Sequence, residues 1–186
     1  MIETILAAIV LGKIKHYKIG YLFLSWSFYP ALITQCILIF FQISAFCGNY
    51  YFVQFASPTK VAIIVSFIFP MLVFQLYKPA LIGSGSIVFG TLLNKFVISQ
   101  NNGKMPVFPS FSYLTGYVKP YTFQAVQDIH VLGSGAAHWK ILTDYIDFGY
   151  SILSPGDLFI HFFSFLMLYY TIRAVNLRYN PKYLKV

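Results

Sequence analysis

Three of the protein's four aspartates lie close together, between Leu142 and His161. Asp157 opens the last strongly apolar segment, where a carboxylate is costly and is usually retained for function. Asp144 lies thirteen residues earlier, and glycines and a proline in between allow the chain to fold back. Two carboxylates at a low-dielectric boundary repel, so the pKa of one rises while the other stays ionised. This pair predicts acid–base activation of a water molecule.

Each aspartate also has a structural alternative. Asp157 can cap the helix that follows it, because acidic residues are common at helix starts. Asp144 can pair with Lys140, one helical turn away, and Asp147 is expected to be exposed to solvent. The sequence leaves the catalytic and structural roles of Asp144 and Asp157 both open.

Amides and a histidine are the candidate substrate-binding or supporting residues: Asn94, Asn101, Asn102 and His161. His161 follows Asp157 at i,i+4 spacing, which places both on one helical face. The amides offer donors and acceptors for a bound group. His130, His138 and His161 fit no metal-binding signature, so we expect neither a metal nor a cofactor.

The composition restricts the class of protein. Of the 186 residues, 58% are hydrophobic, 20% are aromatic and only 10% are charged, and the mean hydropathy is +0.69. This pattern is typical of integral membrane proteins rather than soluble domains. The net charge of +8 comes from basic residues beside apolar runs. Such residues act as topology signals and lipid contacts, so we expect membrane lipids and not nucleic acid as partners.

Five apolar segments predict an all-α, polytopic helical bundle that forms a single transmembrane domain. The predicted spans cover residues 1–15, 21–46, 61–76, 80–99 and 155–171. The first is shorter than the roughly 20 residues of a straight span, and we expect its lysines to snorkel to the interface. A stripe of small residues that predicts close helix packing is formed by Gly83, Gly85, Ser86 and Gly90.

Residues 100–153 are predicted to form an interfacial loop on the outer face. The segment is rich in proline, glycine and polar residues, and it is too long for a simple connector. Segments 121–132 and 138–148 are expected to form short helices on the membrane surface. The loop begins with a turn in which Gly103 is expected to have a positive φ angle.

Basic residues predict the orientation in the cell membrane. The 12–20 turn, Lys78 and the C-terminal tail hold three, one and four of the thirteen lysines and arginines. Cytoplasmic loops are enriched in these residues, so five spans place the N-terminus outside and the C-terminus inside. The long loop, Asp144 and Asp157 then face the outer side.

The order and spacing of three motifs resemble an uncharacterised family of small, five-helix bacterial membrane proteins. The motifs are Leu92-Leu93-Asn94, Asn102-Gly103-Lys104-Met105-Pro106-Val107 and Ser154-Pro155-Gly156-Asp157. This resemblance implies a compact membrane bundle and carries no activity.

A more local pattern is similar to lipoprotein signal peptidase. In that family, two aspartates near the outer leaflet activate the water that cleaves a peptide beside a lipidated cysteine. The resemblance implies that Asp144 and Asp157 form the catalytic pair and that Asn101 supports it. Ser154 stands where the peptidase motif has asparagine. The matching segments are Asn101-Asn102-Gly103, Thr143-Asp144-Tyr145-Ile146 and Gly156-Asp157-Leu158-Phe159-Ile160.

Two classes of function follow from these patterns. The leading hypothesis is an aspartyl hydrolase or peptidase acting on a lipid-linked or peptide substrate, which needs Asp144 and Asp157 within about one water of each other. The alternative is a non-enzymatic small permease, or an accessory or docking subunit that binds other membrane subunits. A permease needs polar groups through the bundle, and the candidates are Gln35, Gln42, Gln75 and Asn94.

Overall fold

A computed structural model describes residues 2–119, 122–125 and 128–180 of a mostly helical protein. The helices in this part of the chain are α1 (Ile2–Ile14), α2 (Tyr29–Phe46), α3 (Ala56–Ser66), α4 (Ile68–Val73), α5 (Tyr77–Gln100), α6 (Phe111–Thr115), α7 (Thr122–Ala125) and α8 (Pro155–Tyr179). The strands are β1 (Met105–Val107), β2 (His130–Leu132), β3 (Ile146–Asp147) and β4 (Ile152–Leu153). Short 3₁₀ turns cover Ile19–Leu24, Trp26–Phe28, Tyr51–Phe55 and Lys140–Leu142.

Among the described residues, four helical segments are long and apolar enough to cross a membrane. They are Trp26–Phe46, Tyr51–Val73, Tyr77–Gln100 and Pro155–Tyr179. They correspond to four of the predicted spans, so the prediction of several long apolar helices is confirmed. The helix of the second segment breaks at Phe67, between α3 and α4. Pro70 follows closely, and proline disrupts the preceding turn because it lacks an N–H and its ring crowds a carbonyl.

The chain divides into two compact units. The first comprises the described parts of Met1–Cys36, Lys60–Ile87 and His161–Val186, and the second comprises those of Ile37–Thr59 and Val88–Ile160. Helices α2, α5 and α8 contribute residues to both units. The predicted polar loop lies in the second unit.

In the first unit, α1 runs parallel to α8. The Glu3 carboxylate lies 2.9 Å from Nδ1 of His161. Further along both helices, the Ile172 side chain lies 3.2 Å from the position of a Cβ atom at Gly12. The two contacts advance in the same direction along α1 and α8, and Ala8, between Glu3 and Gly12, is fully buried. Although α1 has only 13 residues, it is a packed part of this unit.

In the second unit, β1 organises the polar loop. One edge of β1 pairs in parallel with β2, so that Met105 lies opposite His130. At the other edge, the Asp144 N–H donates to the Pro106 carbonyl at 3.2 Å, and the Phe108 N–H donates to the Asp144 carbonyl at 2.7 Å. The strand therefore holds His130 and Asp144 on either side of one short backbone segment.

The surface helices predicted for 121–132 and 138–148 are wrong. Described helix within the first segment is limited to α7, and the segment ends in β2. The second segment contains a 3₁₀ turn, Lys140–Leu142, and then β3. Strand β2 pairs with β1, and β3 pairs with β4. The backbone N–H and C=O groups of these segments are therefore satisfied by strand pairing and not by hydrogen bonds within a helix.

Two glycines of α5 allow close backbone contact. A Cβ at Gly90 would overlap the carbonyl oxygen of Gly156, and one at Gly83 would lie 3.1 Å from the Phe163 Cα. At Gly85, by contrast, a Cβ would meet no atom within 4 Å. The predicted close packing therefore applies to Gly83 and Gly90, and it does not extend to Gly85.

We predict that Gly90→Ala lowers the free energy of unfolding by about 1–3 kcal/mol, because the new methyl group must displace the α8 backbone. Thermal unfolding in detergent would measure the change. Gly85→Ala is the matched control, since it adds the same methyl group to the same helix in open space. Alanine is the better helix former, so the control should keep or slightly raise stability. Equal unfolding temperatures for both variants would contradict this account of the packing.

Candidate functional site

The N-terminus of α8 is closed by a capping box. The Asp157 N–H donates to Oγ of Ser154 at 3.0 Å, and the Ser154 N–H donates to Oδ2 of Asp157 at 3.1 Å. Pro155 occupies the first helical position, where its missing N–H costs nothing. In a capping box, the N-cap and the third helical residue satisfy each other's unpaired backbone donors. The Ser-Pro-Gly-Asp sequence is therefore a helix start.

Asn94 of α5 completes this network. Its Nδ2 donates to Oδ1 of Asp157 at 3.0 Å, and its Oδ1 accepts a hydrogen bond from Oγ of Ser154 at 2.8 Å. Both carboxylate oxygens of Asp157 thus have fixed partners. A Cβ at Gly156 would collide with the Asn94 side chain, so this glycine allows the amide to approach. The geometry favours the capping role of Asp157 over a catalytic one.

The polar loop places a histidine between two carboxylates. Nδ1 of His130 lies 2.7 Å from Oδ2 of Asp128, and Nε2 lies 3.5 Å from Oδ2 of Asp144. The side chain of Asp144 is only 5% exposed, whereas those of His130 and Asp128 are 42% and 39% exposed. The cluster therefore joins a buried carboxylate to a histidine that a substrate can reach.

Local geometry brings Asp128 onto His130. The two residues are separated only by Ile129, and alternate residues of an extended chain share a face. The His130 N–H also donates to Oδ1 of Asp128 at 2.8 Å, so the aspartate closes a small turn on its own backbone. Asp128 contacts the imidazole from this fixed position.

The charge state of Asp128 determines what the imidazole can do. Burial raises the pKa of Asp128, but the hydrogen bonds and charge of His130 and the charge of Lys104 outweigh burial, so the pKa lies below its ordinary value. Asp128 is therefore ionised at neutral pH and accepts the proton on Nδ1 of His130. When the imidazolium gives up one proton, the proton on Nδ1 stays with Asp128 and Nε2 carries the lone pair. The basic nitrogen then faces Asp144.

Asp147 is half-buried and has a structural role, so the expectation that it is exposed is wrong. It accepts hydrogen bonds from the backbone N–H groups of Ser110, Ser112 and Gly149, each at 2.8 Å, and from the Ser112 hydroxyl. Burial raises the pKa of Asp147, but these donors hold it below its ordinary value. The carboxylate ties α6 to the turn between β3 and β4.

Asn101 fastens the loop to the end of α5. Its Nδ2 donates to the carbonyls of Val97 and His138, and its Oδ1 accepts the His138 N–H at 2.9 Å. Asn102 and Gly103 follow with φ angles of 55° and 75°. The positive φ predicted for Gly103 is confirmed, and these residues form the turn out of the helix. The amide of Asn101 is occupied in positioning the loop.

His161 has a partner that the sequence did not indicate. In the first unit, the side chains of His161 and Glu3 are 6% and 17% exposed, and Nδ1 of His161 lies 2.9 Å from a Glu3 carboxylate oxygen. Glu3 is at the opposite end of the sequence, so no local spacing predicts this contact. His161 and its predicted neighbour Asp157 belong to different units.

The described contacts place the predicted catalytic residues in different networks. Asp144 contacts His130, whereas Asp157 contacts Asn94 and Ser154. A water shared by the two aspartates stays a prediction. Within residues 2–119, 122–125 and 128–180, no group of three or more histidine, cysteine or acidic side chains is placed to hold a metal ion. Sequence reasoning missed Asp128, although its Asp-x-His spacing in a strand-like segment was a usable signal.

The described part of the chain is mostly helical and contains several helices long and apolar enough to cross a membrane. Residues 21–169 match the model of DUF5317, a family of unknown function, and the chain belongs to this family. Its predicted membership of an uncharacterised family is thereby confirmed. Neither a curated protein nor a solved structure shows a significant match to the chain.

We predict that Ser154→Ala lowers the free energy of unfolding by about 1–2 kcal/mol, because it removes the N-cap acceptor and the donor to Asn94. Thermal unfolding in detergent would detect the loss. Ser151→Ala is the matched control, since the described hydrogen bond of Ser151 is accepted by its backbone carbonyl from the Phe148 N–H. If both substitutions have the same effect, the capping network contributes no measurable stability.

Proposed function

We propose that this protein is an integral membrane hydrolase in which His130 and Asp144 activate a water molecule. The observation that carries the proposal is the placement of Nε2 of His130 3.5 Å from Oδ2 of the buried Asp144. This separation exceeds a good hydrogen bond, and one water can contact both atoms. Asp128 holds the other ring nitrogen at 2.7 Å, which is how carboxylates orient a catalytic histidine.

The proposed roles follow from charge and position. Nε2 of His130 takes a proton from the water while the water oxygen attacks an electrophilic carbonyl carbon of the substrate. Asp128 stabilises the imidazolium that forms, and Asp144 orients the water through its carboxylate. The imidazolium then returns the proton to the leaving group as the scissile bond breaks. Asp144 keeps the catalytic role expected from the sequence, and His130 replaces Asp157 as its partner.

The substrate class proposed is a lipid-linked molecule or a peptide. Asp144 lies in the Thr143–Ile146 segment that is similar to lipoprotein signal peptidase, and that family acts at the outer leaflet on lipid-linked peptides. The loop also carries exposed aromatic and aliphatic side chains, including Trp139 at 53% and Ile141 at 71%. Such side chains are suited to a membrane interface, where a lipid-linked substrate would be presented.

We further propose that α1 is a fifth span, with the N-terminus outside and the C-terminus inside the cell membrane. Spans that alternate in direction make the first and fifth parallel, and α1 is parallel to α8. The basic residues of the 12–20 turn and the tail support the same orientation. The loop with its histidine would then lie on the outer side.

A non-enzymatic role is the second candidate, and buried amides favour it. Nε2 of Gln35 in the first unit and Oε1 of Gln42 in the second are buried without a hydrogen-bond partner among the described residues. Unsatisfied polar groups in apolar helices suit a small permease, or an accessory or docking subunit whose partner supplies the missing bonds. This role ranks second because it leaves the Asp128–His130–Asp144 cluster unexplained.

We predict that His130→Gln and Asp144→Asn each lower activity at least about 100-fold without reducing protein level, because each removes part of the water-activating unit. The double variant should be no worse than either single one. Complementation of a deletion strain would measure function, with mass spectrometry of lipids and secreted peptides to identify the substrate that accumulates. His138→Gln, which changes an exposed histidine of the same loop, is the matched control.

Asp157→Asn distinguishes the proposed site from the pair expected from the sequence. Asparagine can still accept a capping hydrogen bond, so this variant should complement if Asp157 only caps α8. If Asp157→Asn loses function but keeps normal thermal stability, Asp157 has a catalytic role. Full complementation by His130→Gln and Asp144→Asn would reject hydrolysis at this cluster and favour the accessory role.

The topology is tested by labelling single cysteines in intact cells, with Cys36 and Cys47 replaced by serine. Ser134→Cys in the long loop should react with a membrane-impermeant maleimide. Gly20→Cys should react only after permeabilisation, and its added side chain meets no atom within 4 Å. Equal labelling of both positions in intact cells would contradict the proposed orientation.

A further inference from the structure

The first unit contains a cavity of about 70 Å³ that the hydrolase proposal does not use. A buried water needs about 10–15 Å³ on this measure, so the space exceeds that of one water. Aromatic and aliphatic side chains form most of the wall, and the polar residues on it are Thr4, Gln35 and Ser164. The cavity is therefore an apolar chamber with a few polar groups.

Two of the polar side chains lack partners. Nε2 of Gln35 and Oγ of Ser164 are buried and make no hydrogen bond within the described part of the chain. The residues are only 6% and 5% exposed. Buried polar groups are nearly always hydrogen-bonded, because the alternative is a desolvated donor or acceptor. Both residues line the same cavity, so a group bound there is placed to supply the missing partners.

The chemistry of the wall restricts the occupant. Of the described residues that line the cavity, none carries a charge, and an ion would be strongly disfavoured there. The amide Nε2 of Gln35 needs an acceptor, while the hydroxyl of Ser164 both donates and accepts. A hydroxyl group matches both requirements, and the apolar wall matches a hydrocarbon chain.

We propose that this cavity binds the hydroxyl end of an uncharged, long-chain alcohol or hydroxyl-bearing lipid. The hydroxyl oxygen accepts a hydrogen bond from Gln35 and exchanges one with Ser164. The first part of the hydrocarbon chain lies against the apolar wall formed by residues such as Phe28, Ile63 and Phe67. This site is independent of the histidine cluster, which belongs to the second unit.

Photolabelling of the full-length protein in phosphatidylcholine nanodiscs tests the proposal. A diazirine-bearing octanol should form adducts on the cavity wall, which mass spectrometry would locate at residues such as Phe28 and Ile63. Unlabelled 1-octanol should suppress these adducts at concentrations about tenfold lower than octane does, because octane cannot form the two hydrogen bonds. Octanoate should compete poorly at neutral pH because it is charged.

A double variant tests the two polar groups directly. Gln35→Leu with Ser164→Ala should weaken competition by 1-octanol about tenfold, towards that of octane. It should fold, because apolar groups replace polar atoms that have no partner. Ser164→Ala alone should cause a smaller loss, and it provides a second measurement. Gln42→Leu and Ser66→Ala are matched controls, since Gln42 is in the second unit and the Ser66 hydroxyl already bonds the Ile63 carbonyl.

Three outcomes would overturn the proposal. Equal competition by octane and 1-octanol would show an apolar void with no hydroxyl recognition. Adducts confined to exposed side chains such as Val65, or no competable adducts, would show that the cavity does not bind the alcohol. Unchanged competition in the double variant, with normal elution and thermal stability, would remove Gln35 and Ser164 from any binding role.

Discussion

The hydrogen bonds that close the N-terminus of α8 are the constraint on which the second unit depends. The first N–H groups of a helix have no partner inside it, and in an apolar setting water cannot supply one. Ser154 and Asp157 satisfy each other, and Asn94 bonds both. The carboxylate also suits the positive end of the helix dipole. This one network sets where the polar loop ends and fixes its distance from α5.

The capping network also bears on which aspartate is better suited to the proposed catalytic role. Both oxygens of Asp157 hold structural hydrogen bonds, so a proton on this carboxylate would break part of the cap. Asp144 instead reaches its position through backbone bonds to β1, which leave its side chain to contact His130. A catalytic carboxylate is better supported through its backbone, so that its side chain can act on water or substrate without loosening the fold. For this reason the proposed chemistry rests on the histidine cluster.

The long helices could be predicted from the sequence, but the strands of the loop could not. The reason is that a helix depends on local residues, whereas a strand depends on its pairing with another segment. A membrane span is visible in the sequence as a continuous run of about 20 apolar residues. Four such runs are helical in the described part of the chain. The strands of the loop have two or three residues each and exist because Met105 pairs with His130 and Ile146 with Leu153. Pairings between separate segments leave no periodic pattern. The capping role of Asp157 was one of two expected roles, because Ser-Pro-Gly-Asp is a local signal.

Sequence shows that a polar residue lies in an apolar helix, but it does not show whether that residue is satisfied. His161 and Gln35 are both polar residues within apolar segments, yet Nδ1 of His161 lies 2.9 Å from the Glu3 carboxylate whereas no described group forms a hydrogen bond with Nε2 of Gln35. The partner comes from another helix, so only packing separates the two cases. An unsatisfied buried group costs about 1–3 kcal/mol, a large share of a typical stability of about 5–15 kcal/mol. Gln35 and Ser164 both line one cavity and both carry an unsatisfied atom. The unfavourable free energy of these two atoms remains unless a bound molecule supplies their hydrogen bonds. A bound molecule is therefore the simpler physical explanation for their placement.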